Sequence, residues 1–325
     1  IALWIDTVKN GRVDQFINEL VPNNQLYQDT ANHLLAMSPN SVEPSGNKEA
    51  VKGKSTKNAD KSTASHVTTF YKLALNAQRL RLLPNFDNGI FVNIPSYQLY
   101  YYRDGRPILH SKVIVGRIDR KTPVMQSKLS NVVVNPPWNV PPTILSKDII
   151  PALAQDPTIA ETRNYEILDA NGNKINAYDV NWSQYINVKN IPYRIRQKAG
   201  DDSALGRYKF NMPSSDAIYL HDTPNRGLFG RSSRALSSGC VRVAKSDELA
   251  TLLLRETGWS ADKQQKVLES KKTTSARINS DNPVYLYYVT AWVEKGKVFT
   301  LPDIYKLDQN QPKPVLDWQA VKNVI

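Results

Sequence analysis

One cysteine and four histidines in 325 residues leave redox and metal chemistry little to work with. A lone thiol cannot close an internal disulfide, so Cys240 is an inert core residue, an intermolecular partner or a nucleophile. No set of His, Cys and acidic residues has metal-ligand spacing, so neither a metal nor another cofactor is expected. No apolar run approaches the roughly 18 residues that span a bilayer as a helix. The opening stretch, IALWIDTVKNGRVDQF, lacks the basic, apolar and small-residue sections of a secretory signal, so any targeting or anchoring segment is expected to lie outside this chain.

The formal net charge is +12, which favours anionic partners. The basic residues are dispersed, without heptads, an RNP-like aromatic motif or a zinc-finger spacing, so nucleic acid is not the expected one. Of the histidines, His33, His66 and His110 fall in segments that read as helix, helix start and hairpin strand, and they are taken as structural.

Helical spacing over residues 4–20 and 23–37, and again from Val67 to Leu80 ahead of Pro84, predicts a helical scaffold over residues 1–85. A Ser- and Lys-rich stretch without aromatics, about 41–65, reads as its linker. From Asn88-Gly89 the texture turns to short β-rich runs: GIFVNIP, then YQLYYYR and PILHSKVIVG about an Asp104-Gly105 turn, then SNVVVN. PPWNVPPT follows, its four prolines expected to keep the backbone extended and free of regular hydrogen bonding. Residues 144–204 look inserted, with helical signals and a polar stretch bearing Trp182, Tyr185 and Tyr193. Strands resume at GRYKFNM and AIYLHD. After Cys240 comes a helix with Ser246 as its expected N-cap and Gly258 past its end, then a helix near Ser260. The run PVYLYYVTAWVE, a Lys295-Gly296 turn and KVFTL complete an α+β chain whose β-rich portion spans 86–310. Residues 311–325 form a tail, with a short helix expected around Val315, Trp318 and Val321.

Chemistry concentrates between Tyr219 and Val243. His221 lies 19 positions before Cys240, which follows Ser237, Ser238 and Gly239 and precedes Arg242 by two. A free thiol is only a few per cent ionised at neutral pH, and an imidazole or a turn rich in backbone N–H groups can activate it. The N–H groups of Gly239 and Cys240 are candidate donors to an oxyanion. On spacing alone two readings stand: a catalytic pair, or a core cysteine beside a surface histidine.

His221 with the Ser237-Ser238-Gly239-Cys240-Val241-Arg242 run resembles the signature of the YkuD-type L,D-transpeptidases. Thr122-Pro123 and Leu205 to Phe210 are similar to segments that precede that signature. NVVVNPPWNVPPT, the insertion, Ala204 to Ser215 and LHDTPNRGLF together resemble the YcbB-type members, over roughly residues 67–306. Two positions depart from the pattern: Ser238 stands where many members have a second histidine, and Asp222 where many have glycine. The peptidoglycan-binding module of close relatives is not recognisable here.

The resemblance implies a mostly-β catalytic domain with residues 144–204 as a capping subdomain. It implies a periplasmic enzyme tethered to the inner membrane by a segment absent from this chain. Cys240 would attack the third residue of a peptidoglycan stem tetrapeptide, with His221 as base and then acid, Gly239 in the oxyanion turn, and the Asp222 backbone carbonyl orienting the imidazole. The product would be a 3→3 cross-link between diaminopimelate residues. Tyr219 and Trp138 are expected cleft walls, Ser238 and Arg242 further substrate contacts, and Trp182 or Tyr185 cap residues facing substrate. Carbapenems are expected inhibitors, and cell-wall synthesis proteins are candidate partners. Hydrolysis of the acyl group (L,D-carboxypeptidase activity), lipoprotein attachment or detachment, and a non-catalytic wall-binding scaffold are the alternatives.

Overall fold

A computed structural model describes residues 24–37, 57–279 and 281–309, which fall into two compact units: one holds the described residues up to Asp87 and from Tyr287 on, the other those between Asn88 and Leu286. The expected helices over 4–20 and around Val315 lie outside the described residues. In the first unit, helix α1 (Gln25–Ala36) is capped by Asn24, whose Oδ1 accepts from Tyr27 N. The Asn24 amide also donates to the Leu80 and Leu83 carbonyls at the end of helix α2 (Lys57–Leu80), so one buried side chain serves two helix ends. Helix α2 starts inside the Ser- and Lys-rich stretch. Leu34, Phe70, Leu73 and Ala77 bury together with Ala291 and Val293 of a hairpin, Ala291–Glu294 with Lys297–Thr300. Lys295 and Gly296 turn that hairpin with φ of 50° and 76°.

The second unit is built on strand β3. Strands β1 (Gly89–Asn93), β2 (Gln98–Arg103) and β3 (Arg106–Gly116) run antiparallel, with Asp104 and Gly105 both left-handed at the β2–β3 turn. Residues 109–112 of β3 alternate between buried and exposed, as a half-covered strand does, whereas Val113–Gly116 are buried throughout. The strand changes neighbours at that point: residues up to Lys112 pair with β2, and Val113 and Ile114 pair on the other side. One long strand thereby bends the sheet around the core.

The strands that follow are β4 (Met125–Lys128) and β5 (Asn131–Val134), then a small sheet of β6 (Trp138–Asn139), β7 (Tyr165–Leu168), β8 (Lys174–Ile175) and β9 (Arg194–Gln197). After these come β10 (Tyr208–Asn211), β11 (Leu220–His221), β12 (Ala235–Ser237), β13 (Val241–Val243), β14 (Thr274–Arg277) and β15 (Pro283–Tyr287). The large sheet is ordered β14-β5-β10-β11-β13-β3-β2-β1-β15-β4, with β12 joined to β3. Val132, Val134, Tyr208, Phe210, Leu220, Val241 and Val243 point into the core, where Leu249, Leu253 and Leu254 of helix α4 (Ser246–Glu256) are also buried. Helix α3 (Ile150–Gln155) belongs to the insertion, and α5 (Ala261–Glu269) carries the Ser260 cap, Oγ accepting from Lys263 N.

The insertion has its own core of Leu145, Ile149, Ile150, Leu153, Ile167, Trp182 and Ile195 beside the small sheet. Four sequence expectations are corrected by these elements. Trp138 and Asn139 are not kept out of regular pairing by the flanking prolines, because they pair with Gln197 and Arg196, whose own N–H and C=O groups supply the ladder. Trp182 does not face a ligand cleft: it is 2% exposed in the insertion's core, and its Nε1 donates to the Ala177 carbonyl. Ser246 is not the N-cap of α4. Lys245 holds that position, and the Ser246 hydroxyl is spent on a buried carboxylate. The run from Pro283 is not one strand: it breaks before Ala291, where Thr290 N donates to the Asn76 side chain in place of a strand partner.

Candidate active site

Three adjacent strands set the site. Lys209 of β10 is paired with His221 of antiparallel β11, and His221 with Arg242 of parallel β13. Their partners in register, Phe210, Leu220 and Val241, point into the core, so the row Lys209–His221–Arg242 lies on the opposite face. Tyr219 and Cys240, two residues before His221 and Arg242, line the same cleft. This cavity of about 370 Å³ is also walled by Trp138, Ser238, Ile218 and the insertion's Ile144, Asp148 and Tyr165. The volume suits a ligand of modest size. Trp138 and Tyr219 are thus on the cleft, as are Ser238 and Arg242.

Cys240 is half-buried, and its Sγ lies 3.9 Å from the Ala217 carbonyl oxygen. Burial pushes the thiol above its ordinary pKa, against the pull of Tyr219, Lys209 and Arg242. His221 is buried, and its Nδ1 lies 2.5 Å from the Asp222 carbonyl oxygen. That contact makes Nδ1 the protonated nitrogen and leaves Nε2 as the basic one. Burial, then the charges of Arg242 and Lys209, push the imidazole down to about 3, so it is neutral at neutral pH.

The turn before the thiol depends on a glycine. Gly239 has φ +122°, a conformation open to glycine, and a Cβ there would come 3.4 Å from Ile218. Its N–H points at Ser237 Oγ (3.2 Å), while that hydroxyl donates to the Cys240 carbonyl (2.6 Å). The expectation that Gly239 and Cys240 both offer free N–H groups is therefore corrected. The left-handed turn aims Gly239 N at Ser237, and among the described residues the Cys240 N–H keeps no acceptor. Thr122, buried behind the turn, donates to the Gly239 carbonyl (2.7 Å) and accepts from Gly116 N (2.8 Å).

Asp222 does two separate things. Its backbone carbonyl holds the imidazole, while its buried carboxylate turns away to accept from Ser246 Oγ (2.7 Å), Arg207 N (2.8 Å) and Arg226 (3.0 Å). Gly206, at φ +59°, makes room for it, since a Cβ there would meet Asp222 Oδ2 at 2.3 Å. The segment from Asn225 to Ala235 is anchored: Phe229 is buried, and Arg234 donates to the carbonyls of Val113, Tyr97 and Arg231.

Two residues of the site escaped the reading by sequence. Lys209 Nζ stands 4.2 Å from the Tyr219 ring centroid, a cation–π contact. Arg120 bonds Asp148 of the insertion through both Nη atoms (2.5 and 2.9 Å), and Nη1 also donates to Ser238 Oγ (3.0 Å). The Ser238 hydroxyl, offered as a substrate contact, accepts from Arg120 and keeps its own O–H to donate. Alternation marks Lys209 only as a polar residue between Tyr208 and Phe210, and nothing local marks Arg120.

A single thiol, a neutral oriented imidazole and an unfilled backbone donor sharing one cleft have the chemistry of cysteine-dependent acyl transfer. The L,D-transpeptidase catalytic domain known as YkuD matches residues 87–299, and the chain belongs to that family. It is 53% identical over all 325 residues to a Haemophilus influenzae protein whose name provisionally makes it an L,D-transpeptidase, and it spans 61% of that relative's length. Among solved structures it is similar to the Enterococcus faecium L,D-transpeptidase catalytic domain acylated by ertapenem. The TM-score is 0.28 at 10% identity, over 62% of this chain and 97% of that one. It is also similar to Mycobacterium tuberculosis L,D-transpeptidase 3 with a faropenem-derived adduct, at TM-score 0.28 and 12% identity, over 61% and 59% of the two chains. Superpositions this loose bear on neither the site residues nor the substrate. Among the described residues no helix is long and apolar enough to cross a membrane.

Proposed function

We propose that this chain carries the acyl-transfer site of a periplasmic peptidoglycan L,D-transpeptidase that forms 3→3 cross-links, with Cys240 as nucleophile and His221 as base and then acid. Family membership supports the reaction class. The observation that carries the residue assignment is the convergence of Cys240 Sγ, the neutral His221 and the unfilled Cys240 N–H on one cleft. The YcbB-like stretches, Trp138 and the insertion among them, support the finer subclass.

In the first half-reaction Sγ attacks the carbonyl carbon of the third stem residue while its proton passes to Nε2. The oxyanion that forms accepts from the Cys240 N–H. As the C–N bond breaks, the departing D-alanine amine takes the proton back from the imidazole, leaving a thioester. In the second, the side-chain amine of another diaminopimelate attacks the thioester and gives up a proton to Nε2, and the sulfur leaves as thiol. The Asp222 carbonyl keeps Nε2 turned to this work throughout. A carbapenem's strained carbonyl offers the same electrophile, so it should leave a stable acyl group on Cys240.

The decisive experiment incubates the protein with tetrapeptide-bearing muropeptides and resolves the products by mass spectrometry. Cross-linked dimers that depend on Cys240 support the reading, and dimers formed equally by Cys240→Ala overturn the mechanism. Free tripeptide without dimers would instead identify hydrolysis.

A further inference from the structure

The row Lys209–His221–Arg242 places two fixed cations on either side of the imidazole, one strand away in each direction. Among the described residues neither has a carboxylate within ion-pair distance, and the buried Nε of Arg242 has no hydrogen-bond partner. Two half-buried, unpaired cations beside the cleft call for an anion. The other charged or titratable groups lining that cleft are Asp148, Arg163, Tyr165, Asp202, Asp216 and Tyr219. Asp148 is already paired with Arg120. Asp202 and Asp216 are exposed, where solvent and salt weaken their reach.

We propose that Lys209, together with Arg242, is the standing counter-charge of the Cys240 thiolate, while His221 works as a neutral base. Lys209 acts as a positioning residue: it rests against the Tyr219 ring, and Tyr219 in turn meets the thiol through both its backbone and its side chain. Burial holds the thiol above its ordinary pKa, and hydrogen bonds from Tyr219, then the charges of Lys209 and Arg242, pull against it. Lys209 and Arg242 favour the ionised thiol, and the thiolate is the one neighbouring charge that acts on each of them. Both cations also oppose a proton on His221, so an imidazolium is the costlier partner for the same anion. This rests on Cys240 being the nucleophile, but not on the acyl acceptor or the stem peptide.

The test is the rate of Cys240 alkylation by iodoacetamide as a function of pH, followed by intact mass, on the full chain and on K209M, K209R and H221N. K209M is expected to raise the apparent thiol pKa by about one unit, a roughly tenfold lower rate at neutral pH. K209R should stay within about twofold of the unmodified chain. H221N should move the midpoint less than K209M does. The proposal is overturned if K209M titrates like the unmodified chain, if K209R shifts as far as K209M, or if H221N shifts furthest. K209Q, also neutral but polar, repeats the comparison should K209M fail to give the unmodified chain's circular dichroism spectrum. If the unmodified chain forms no cross-linked dimer while K209M shows the expected alkylation shift, the proposed function fails and this inference stands.

Discussion

Arg120 is the residue through which the insertion meets the nucleophile turn, and its worth can be worked from its contacts. The guanidinium is 12% exposed and Asp148 39%, with two N–H···O contacts of 2.5 and 2.9 Å. An exposed ion pair is worth about 0.2–1 kcal/mol, and breaking a fully buried one costs about 3–5 kcal/mol. A bidentate pair with one screened partner falls between, at about 1–2 kcal/mol. A double-mutant cycle of R120M and D148N, read by urea unfolding, should return that coupling energy. The second contact, to Ser238 Oγ, gives an independent reading. R120M should also slow iodoacetamide labelling of Cys240, whereas D148N, which leaves the Ser238 contact in place, should slow it less. A coupling below about 0.3 kcal/mol, with labelling equal in both variants, would refute the idea that Arg120 ties the insertion to the turn.

Three further outcomes follow from the same geometry. His221 has a folded pKa of about 3 against an ordinary 6.5, so the unfolded chain binds the extra proton between those values. Stability should then fall as pH drops from 6.5 toward 3, by at most about 1.4 kcal/mol per pH unit from this group. Urea midpoints of H221N should lack that component, and identical slopes in both proteins would contradict the assignment. Gly206→Ala sets a Cβ 2.3 Å from Asp222 Oδ2 at a left-handed φ, and should cost about 2–5 kcal/mol, visible as a lower Tm. A wild-type Tm would remove the close-approach argument. Trp182→Ala should cost about 3–5 kcal/mol within the insertion, detected as protease cleavage between residues 140 and 204 before the rest of the chain is cut. Unaltered proteolysis would mean that Trp182 does not hold that core.

Much of the β-rich fold was legible because its cues are local. Asp104-Gly105 and Lys295-Gly296 announce left-handed turns, and the alternation in Tyr208–Asn211 assigns a face to each side chain. The Cys240 and His221 pair was visible as residue types, and the motif resemblance raised it to a site. The insertion's sheet was not legible, since its strands run two to four residues and carry Lys, Arg and Glu where alternation would be sought. The duties of Lys209 and Arg120 depend on strands and loops that meet only in the fold. Trp182 illustrates the opposite error: a large aromatic in a polar stretch read as a ligand surface, when its ring was the insertion's own filling. The Thr290 break was invisible for a similar reason, because the group that interrupts the ladder is Asn76, 214 positions away.

The parallel register of β11 against β13 carries a consequence for how such a site can vary. His221 and Cys240 are brought together by a pairing of adjacent strands, Leu220 with Val241 and His221 with Arg242. The chain between them is an excursion whose path is fixed by Arg226, Phe229 and Arg234 at points off the cleft. The spacing of thiol and imidazole in three dimensions is therefore independent of the number of residues that separate them. Residues could be added or removed at the exposed tip, near Ser232 and Ser233, with the reactive pair left in register, so a motif defined by a fixed count between His and Cys would overlook chains that keep the same geometry.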